Sequence, residues 1–141
     1  MTDRITTAQR SKLMGRIQRA HTKPELLIRR MLHGLGYRFR VQLKGVPGRP
    51  DLAFTRRRKI IQVHGCFWHF HEGCPSARMP ATRTEFWTAK FTRNRERDRR
   101  LEEAAADAGW QCLVVWECEM KDFVTLRAKL VDFLGPTRLH S

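Results

Sequence analysis

A chain of 141 residues with 41% hydrophobic residues can form one domain with a modest core, and this composition argues against wholesale disorder. No apolar run approaches the roughly 20 residues of a membrane-spanning helix, and the first residues lack the apolar region of a secretory signal, so a cytoplasmic protein is expected. The 28 lysines and arginines exceed the 14 acidic residues, and the formal net charge of +14 predicts salt-dependent attraction to nucleic acid rather than to a membrane surface.

Two helices are predicted near the N-terminus. Residues 8–20 form a short basic helix with one apolar side. Residues 24–35 repeat apolar side chains at helical spacing and end before Gly36, a typical helix stop. Thr22, followed three residues later by Glu25, has the spacing of a capping box at the start of the second helix.

Three strands are predicted next. Residues 37–41 alternate apolar and basic side chains, which indicates a half-buried strand. A turn containing proline and glycine leads into a short strand over residues 51–54. The basic residues 56–59 predict the tip of a hairpin, and the β-rich residues 59–64 continue from it as a third strand.

The second half of the chain predicts a helix, a strand and a helix. The long helical region reaches from residue 84 to Ala108, with a break near residues 92–94. Residues 111–116 have the continuous apolar character of a buried strand, and residues 122–134 form a final helix. This order of elements predicts an α/β fold of three layers, in which a central mixed β-sheet is flanked by helices.

The segment from residue 64 to residue 74 concentrates the reactive side chains. It contains three of the six histidines and two of the four cysteines, namely His64, His69, His71, Cys66 and Cys74. Imidazole and thiolate are strong zinc ligands, and imidazole is also the usual proton carrier near neutral pH. The segment therefore predicts metal binding, proton-transfer chemistry, or both.

The two thiolates of this segment, together with Cys118 and one histidine, are enough for a closed tetrahedral zinc site of structural type. Spacing alone allows either His69 or His71 to be the fourth ligand. An even number of cysteines could instead form disulfides, but zinc is favoured because no secretory signal is seen and histidines are interleaved. Cys112 is left over and is interpreted as a small buried residue.

Asp51 stands at the head of a predicted strand, directly after Pro50. A carboxylate there, beside the end of a neighbouring strand, is suited to Mg²⁺, which takes one or two carboxylates and completes its coordination with water and substrate phosphate. The simpler alternative is that Asp51 only caps a turn. The nearby histidines and the positive charge of the chain favour the metal site.

Six motifs follow one another between residues 10 and 118. They are Arg10-Ser11-Lys12, Pro47-Gly48-Arg49-Pro50-Asp51, His64-Gly65-Cys66-Phe67-Trp68-His69, Pro80-Ala81-Thr82-Arg83-Thr84-Glu85-Phe86-Trp87, Asn94-Arg95-Glu96-Arg97-Asp98-Arg99-Arg100 and Val115-Trp116-Glu117-Cys118. Together they resemble the very short patch repair (Vsr) DNA mismatch endonucleases, which have the restriction-endonuclease-like PD-(D/E)XK fold. The general PD-(D/E)XK pattern is incomplete, because Gln62 and His64 stand where it has an acid and a lysine.

The resemblance implies hydrolysis of one DNA strand 5′ to the thymine of a T·G mismatch, which arises when 5-methylcytosine deaminates. Asp51 would be the principal Mg²⁺ ligand, and Val63 would contribute its backbone carbonyl. His69 would be the general base, and His64 would be its partner in stabilising the phosphate. Glu25 would be a supporting active-site acid, although the capping box alone also explains it.

The same resemblance makes His71 the fourth zinc ligand and leaves His69 free. It implies a bacterial cytoplasmic protein, associated with the nucleoid, that acts on double-stranded DNA and works with the mismatch-repair protein MutL. A monomer is the default expectation. Residues 1–20 would be a basic DNA-binding arm, residues 21–135 the endonuclease domain, and residues 136–141 a short tail.

The resemblance also implies how DNA is held. Phe67, Trp68 and Trp87 would wedge into the base stack from the major groove, and Met14 from the minor groove; core packing is the alternative for the three aromatic residues. Phosphate contacts are expected from the basic side chains Lys12, Arg93 and Arg97.

Two other functions fit the residues. A related nuclease could cut DNA without preference for a mismatch, and a zinc-containing DNA-binding module could act without catalysis. Asp51 together with His69 argues against the module, because a protein that only binds DNA needs neither.

Overall fold

The computed structural model describes residues 23–137. The predicted helix over residues 8–20, with Lys12 and Met14, and the Thr22 side of the predicted capping box lie outside the described residues. The described chain forms three α-helices, three strands and one 3₁₀ helix: α1 (Lys23–Leu35), β1 (Leu52–Phe54), β2 (Lys59–His64), α2 (Thr84–Asp107), β3 (Gln111–Trp116), the 3₁₀ helix (Glu117–Lys121) and α3 (Phe123–Leu134).

The strands form one mixed sheet in the order β1-β2-β3, which confirms the predicted mixed character. β1 and β2 are an antiparallel hairpin. β2 and β3 run parallel, with Val63 opposite Val115 and His64 opposite Trp116. Parallel neighbours need a crossover connection, and α2 belongs to it. His64 and Trp116 therefore end their strands side by side.

Helices pack on both faces of the sheet, because successive side chains of a strand point in opposite directions. On β2, Ile61 belongs to a core with the buried side chains of α1 and α3. Its neighbour Ile60 belongs to a second core on the opposite face, with Ala105 of α2 and Trp110. Among residues 23–137, no helix is both long and apolar enough to cross a membrane.

The strand predicted over residues 37–41 is wrong. Only Arg40 pairs, through an isolated antiparallel bridge to Ala53. Tyr37 is fully buried in the core beneath α1 and α3, and its hydroxyl donates to the carbonyl of Gly135. Gln42 has a left-handed backbone with φ of 49°, which ends the extended run. The alternating pattern thus reflects burial of single side chains, not a paired strand.

The break predicted near residues 92–94 is also wrong, because α2 continues without interruption from Thr84 to Asp107. Asn94 has a low helix propensity, but its side chain donates a 3.0 Å hydrogen bond to the carbonyl of Trp68. Phe91 is buried one turn earlier. These tertiary contacts outweigh the local preference.

The basic hairpin tip has a structural role. Arg57 and Lys59 donate to the last carbonyls of α3, at Leu134 and Phe133. Arg58 donates to the carbonyl of Ala108 at the end of α2. Cations at a helix C-terminus satisfy free carbonyls and interact favourably with the helix dipole. Much of this basic run is therefore committed to the fold.

The turn before Asp51 fits closely against α2. Gly48 has φ of +83°, and a Cβ placed on it would lie 3.3 Å from Cβ and Cδ1 of Leu101. Arg49, the next residue, is also left-handed, with φ of 44°. Glycine suits both the left-handed backbone and this close approach, so the turn holds Asp51 near α2.

Replacing Gly48 with alanine is expected to lower the free energy of unfolding by about 1–3 kcal/mol more than replacing Gly45 does. Gly45 is the matched control, because its φ is +91° but nothing lies within 4 Å of an added Cβ. Both changes carry the cost of a left-handed alanine, and only Gly48→Ala adds the clash. Urea denaturation measures the difference, and equal losses would show that the contact with Leu101 is unimportant.

Candidate active site and metal centre

The loop after β2 folds back on itself through its own backbone. The amide of His69 donates to the carbonyl of Gly65 at 3.1 Å, and the amide of His71 donates to the carbonyl of Cys66 at 2.8 Å. The amide of Cys74 then donates to the carbonyl of His71 at 3.2 Å. These turns place successive side chains on different sides of the loop, so neighbouring histidines enter different surroundings.

One side of the loop carries a candidate metal centre. A ligand atom from each of Cys66, His71, Cys74 and Cys118 lies within 4.8 Å of the others. In a tetrahedral zinc site with Zn–S bonds of 2.3 Å, neighbouring sulfurs are about 3.8 Å apart, so small movements would bring the four groups into coordination. The amide of Cys118 also donates to Sγ of Cys66 at 3.4 Å. This donor set fits zinc.

The thiols of this centre need a cation to ionise together. Burial raises the pKa of the Cys66 thiol to about 12. Nδ1 of His71 lies 3.6 Å from Sγ of Cys118. Cysteine binds zinc strongly only as the thiolate, so the metal would supply the charge that stabilises three sulfurs at such close range.

The structure separates the two histidines that spacing left as alternatives. His71 lies with the thiols, whereas His69 lies with His64 and Asp98. Nδ1 of His69 donates to Oδ2 of Asp98 at 2.5 Å. The carboxylate of Asp98 orients the ring through Nδ1, so Nε2 of His69 is not used in this hydrogen bond.

His64 and His69 stack face to face, with ring centroids 3.8 Å apart and planes 3° from parallel. Burial, with a smaller contribution from the neighbouring His69, lowers the pKa of His64 to about 4. His64 is therefore neutral at physiological pH and keeps one N–H to donate.

Asp51 is buried directly before β1, with 8% of its surface exposed. Its Oδ2 accepts a 2.6 Å hydrogen bond from the amide of Val63, and its Oδ1 accepts one of 3.2 Å from Gln42. Burial, and then the charge of Glu25, raise the pKa of Asp51 to about 7. Two acids held together in this way are stabilised by a divalent cation, so the site fits Mg²⁺.

One cavity of about 380 Å³ joins the acidic pair, Asp51 and Glu25, to the stacked histidines. Asp51, Glu25 and Val63 line it together with His64 and His69. Glu25 is 3% exposed and pairs with Arg29 at 3.3 Å, so it faces the cavity while helping to hold α1. The arrangement can bind a cation beside a basic imidazole, which is the chemistry of metal-assisted hydrolysis.

The aromatic residues of the loop pack against the first turns of α2. The ring of Phe67 lies 5.0 Å from Trp68 and 5.5 Å from Trp87, centroid to centroid. All three side chains are half-buried, and Phe86 beside them is 41% exposed. The aromatic cluster is thus an ordered surface rather than a closed core.

The basic residues of α2 differ in their pairing. Arg99 is bonded to Glu96 and Glu103, which compensate its charge. Arg93 and Arg97 are exposed, and Arg97 also lines the cavity. Their positions suit contacts with phosphate better than that of Arg99 does.

The model of the DNA mismatch endonuclease Vsr family matches residues 2–75, which is more than half of the chain. This chain belongs to that family. DNA is accordingly the class of substrate.

Curated relatives extend the likeness over nearly the whole chain. DNA mismatch endonuclease Vsr from Escherichia coli is 44% identical over 140 residues, covering 99% of this chain and 86% of the relative. Type II nicking enzyme V.XorIIP from Xanthomonas oryzae is 44% identical over 137 residues, covering 97% of this chain and all of the relative. Type II nicking enzyme V.NmeAIP from Neisseria meningitidis is 39% identical and covers 92% of each chain.

Two side chains of this Vsr-family site were given no role from sequence. Asp98 bonds to His69, and Gln42 bonds to Asp51. Asp98 lies within a recognised motif, and its helical spacing from Asn94 would have placed both on the face of α2 that meets the loop. Gln42 lies outside every motif, so no sequence signal pointed to it.

We expect the purified Vsr-family protein to bind Co²⁺ at the thiol cluster with strong thiolate-to-metal absorption. Cys118→Ala should abolish this absorption, because it removes one of four converging donors. Cys112→Ala is the matched control and should leave the spectrum unchanged, since Cys112 lies outside the cluster. Loss of the absorption in both variants, or in neither, would contradict this assignment of the centre.

Proposed function

We propose that this protein is a Mg²⁺-dependent, zinc-stabilised endonuclease that nicks one DNA strand 5′ to the thymine of a T·G mismatch. Such mismatches are left when 5-methylcytosine deaminates, and the nick would begin very short patch repair. One observation carries the proposal: Asp51 and His69 line one cavity, while His71 completes the thiol cluster. The carboxylate and the imidazole are thus both available for hydrolysis of a phosphodiester.

A Mg²⁺ ion held by Asp51 and the backbone carbonyl of Val63 would lower the pKa of a bound water and neutralise charge on the phosphate. The protein orients its carboxylate for this purpose. Hydrogen bonds from Val63 and Gln42 use one lone pair on each oxygen of Asp51, and a carboxylate has further acceptor positions for the cation.

His69 is the proposed general base. Its Nδ1 donates to Asp98, so Nε2 is the nitrogen that takes a proton from water. The Asp98 carboxylate then stabilises the imidazolium that forms. His64 stacks on His69 as a neutral ring, and its N–H is suited to donate to a phosphate oxygen.

DNA binding is proposed for the aromatic cluster and for basic residues around it. Phe67, Trp68 and Trp87 form a cluster of half-buried rings between the loop and the start of α2. Inserting them beside a mismatch costs less than inserting them beside a paired step. Met14 would enter from the minor groove. Phosphate contacts are assigned to Lys12, Arg93 and Arg97.

The wider setting is also proposed from the family. The mixed sheet with helices on both faces would be a restriction-endonuclease-like core over residues 21–135, between a DNA-binding arm over 1–20 and a tail over 136–141. The protein would act as a monomer in the bacterial cytoplasm, on nucleoid DNA, in cooperation with MutL.

A nuclease without mismatch preference is the second candidate. It is favoured by relatives named type II nicking enzymes, one of which is as similar to this chain as the E. coli protein named for mismatches, at 44% identity each. A zinc-containing module without catalysis is less consistent with the site, because its buried Asp51 and its paired His69 would serve no purpose in binding alone.

With Mg²⁺, the protein should nick a T·G duplex and leave the matched duplex intact. Asp51→Ala should abolish nicking because the cation loses its ligand, and His69→Ala should slow it by about 10²- to 10⁴-fold, as expected for loss of a general base. Denaturing gel electrophoresis of end-labelled strands measures both the rate and the position of the cut.

His33→Ala is the matched control for a histidine far from the cavity, since His33 is exposed in the last turn of α1. Equal cutting of both duplexes would favour the general nuclease. Binding of the T·G duplex without any cut, under all metal conditions, would favour the module.

Glu25→Gln separates a role at the cation from a role as a helix cap. If Glu25 supports the cation, the glutamine variant should need several-fold more Mg²⁺ for half-maximal nicking, because it removes a charge beside Asp51. Because glutamine also fits a capping box, any loss of thermal stability would come from the ion pair with Arg29 and not from the cap. An unchanged Mg²⁺ requirement would show that the charge of Glu25 does not support the cation.

A further inference from the structure

The indole of Trp116 lies between the thiol–histidine cluster and the two stacked histidines. His71 stacks on it face to face, with centroids 4.0 Å apart and planes 6° from parallel. His64 meets the indole edge-on at 5.2 Å, and His69 does so at 6.3 Å. One aromatic side chain thus contacts a candidate metal ligand and both proposed catalytic rings.

The backbone of Trp116 is firmly held. It ends β3 opposite His64. Its amide donates to Oε1 of Glu119 at 2.9 Å, and Nζ of Lys129 lies 2.9 Å from both oxygens of that carboxylate. Because α3 anchors this contact through Lys129, the backbone that carries the indole is held in place beside the histidine rings.

His64 depends on ring contacts for its orientation. Within residues 23–137, no hydrogen bond to its ring is found, whereas His69 is fixed by Asp98. The ring contacts that the structure shows for His64 are the stack on His69 and the edge of Trp116. Removing the indole would leave an empty volume beside a buried ring, which could then turn.

We propose that Trp116 is a positioning residue that orients His64, and through it His69, and that it couples the order of the thiol–histidine cluster to these two rings. A metal that fixes His71 fixes one face of the indole, and the indole edge fixes His64. The metal centre would then influence the rate of hydrolysis as well as stability. This inference rests on the proposed function only for its rate measurement.

A purely backbone route is the competing explanation. The loop hydrogen bonds at Gly65 and Cys66 already shape the main chain between the two clusters. They do not reach the ring of His64, which belongs to β2 and precedes the loop. Coupling through the backbone should therefore survive replacement of the indole, and coupling through the ring should not.

The test compares Trp116→Met, Trp116→Phe and the control Trp110→Met. Methionine fills volume without a ring, and phenylalanine keeps a ring. Trp110 directly precedes β3, at the opposite end of that strand from Trp116. Spectra of ¹⁵N-histidine are recorded as Zn²⁺ is added to metal-free protein. The His64 and His69 ring signals should shift in the wild type, in Trp116→Phe and in Trp110→Met, and should not respond in Trp116→Met.

In the same samples, Co²⁺ absorption should show that Trp116→Met retains the thiol–histidine centre. Its single-turnover nicking rate on a T·G duplex should fall about 10- to 100-fold, with KM changed less than threefold, as for loss of an outer contact that orients a catalytic group. Trp116→Phe should recover most of that rate.

Three results would overturn the proposal. They are wild-type His64 and His69 signals that ignore Zn²⁺, a Trp116→Met variant in which those signals still respond, and loss of Co²⁺ binding in that variant. The first result is measured on the wild-type protein, so it does not depend on whether a variant folds. The spectra need no nicking activity, so a protein that cuts nothing would refute the proposed function while leaving this coupling open to measurement.

Discussion

The parallel register of β2 and β3 is the constraint on which the site depends. It sets His64 opposite Trp116, so that the loop after β2 and the 3₁₀ helix after β3 begin at the same edge of the sheet. The cysteines on these two segments can then meet. The antiparallel hairpin brings Asp51 beside Val63 at that edge. A shift of one residue would send these side chains to opposite faces and separate them.

Helix α2 closes the site from the other side with a single face. Phe91 packs against the aromatic cluster, Asn94 holds the loop carbonyl of Trp68, and Asp98 orients His69. Leu101 then meets the turn at Gly48. These residues recur at helical spacing, so one rigid element aligns the aromatic cluster, the imidazole of His69 and the turn that carries Asp51. A rigid support of this kind suits catalysis, which tolerates little misplacement.

Much of this arrangement could be predicted from the sequence, and there are physical reasons why the remaining contacts could not. The long helices and the two parallel strands follow from periodicity and apolar runs. The density of histidine and cysteine in the loop predicted metal binding or proton transfer. The false strand over residues 37–41 arose because burial of Tyr37 mimics alternation. The contacts of Gln42, Asp98 and Trp116 join segments distant in the chain, and no local pattern reports such contacts. Likewise, spacing could not separate His69 from His71, because that choice is made by the turns of the loop.

The most direct measurement of the central claim is Mn²⁺ binding by electron paramagnetic resonance, with Mn²⁺ standing in for Mg²⁺. The sample is a zinc-loaded His69→Ala variant bound to a T·G duplex, and it is compared with the same variant carrying Asp51→Asn. The buried carboxylate beside Glu25 predicts Mn²⁺ bound in the first sample and lost in the second. Equal Mn²⁺ binding in both would show that Asp51 does not hold the catalytic cation.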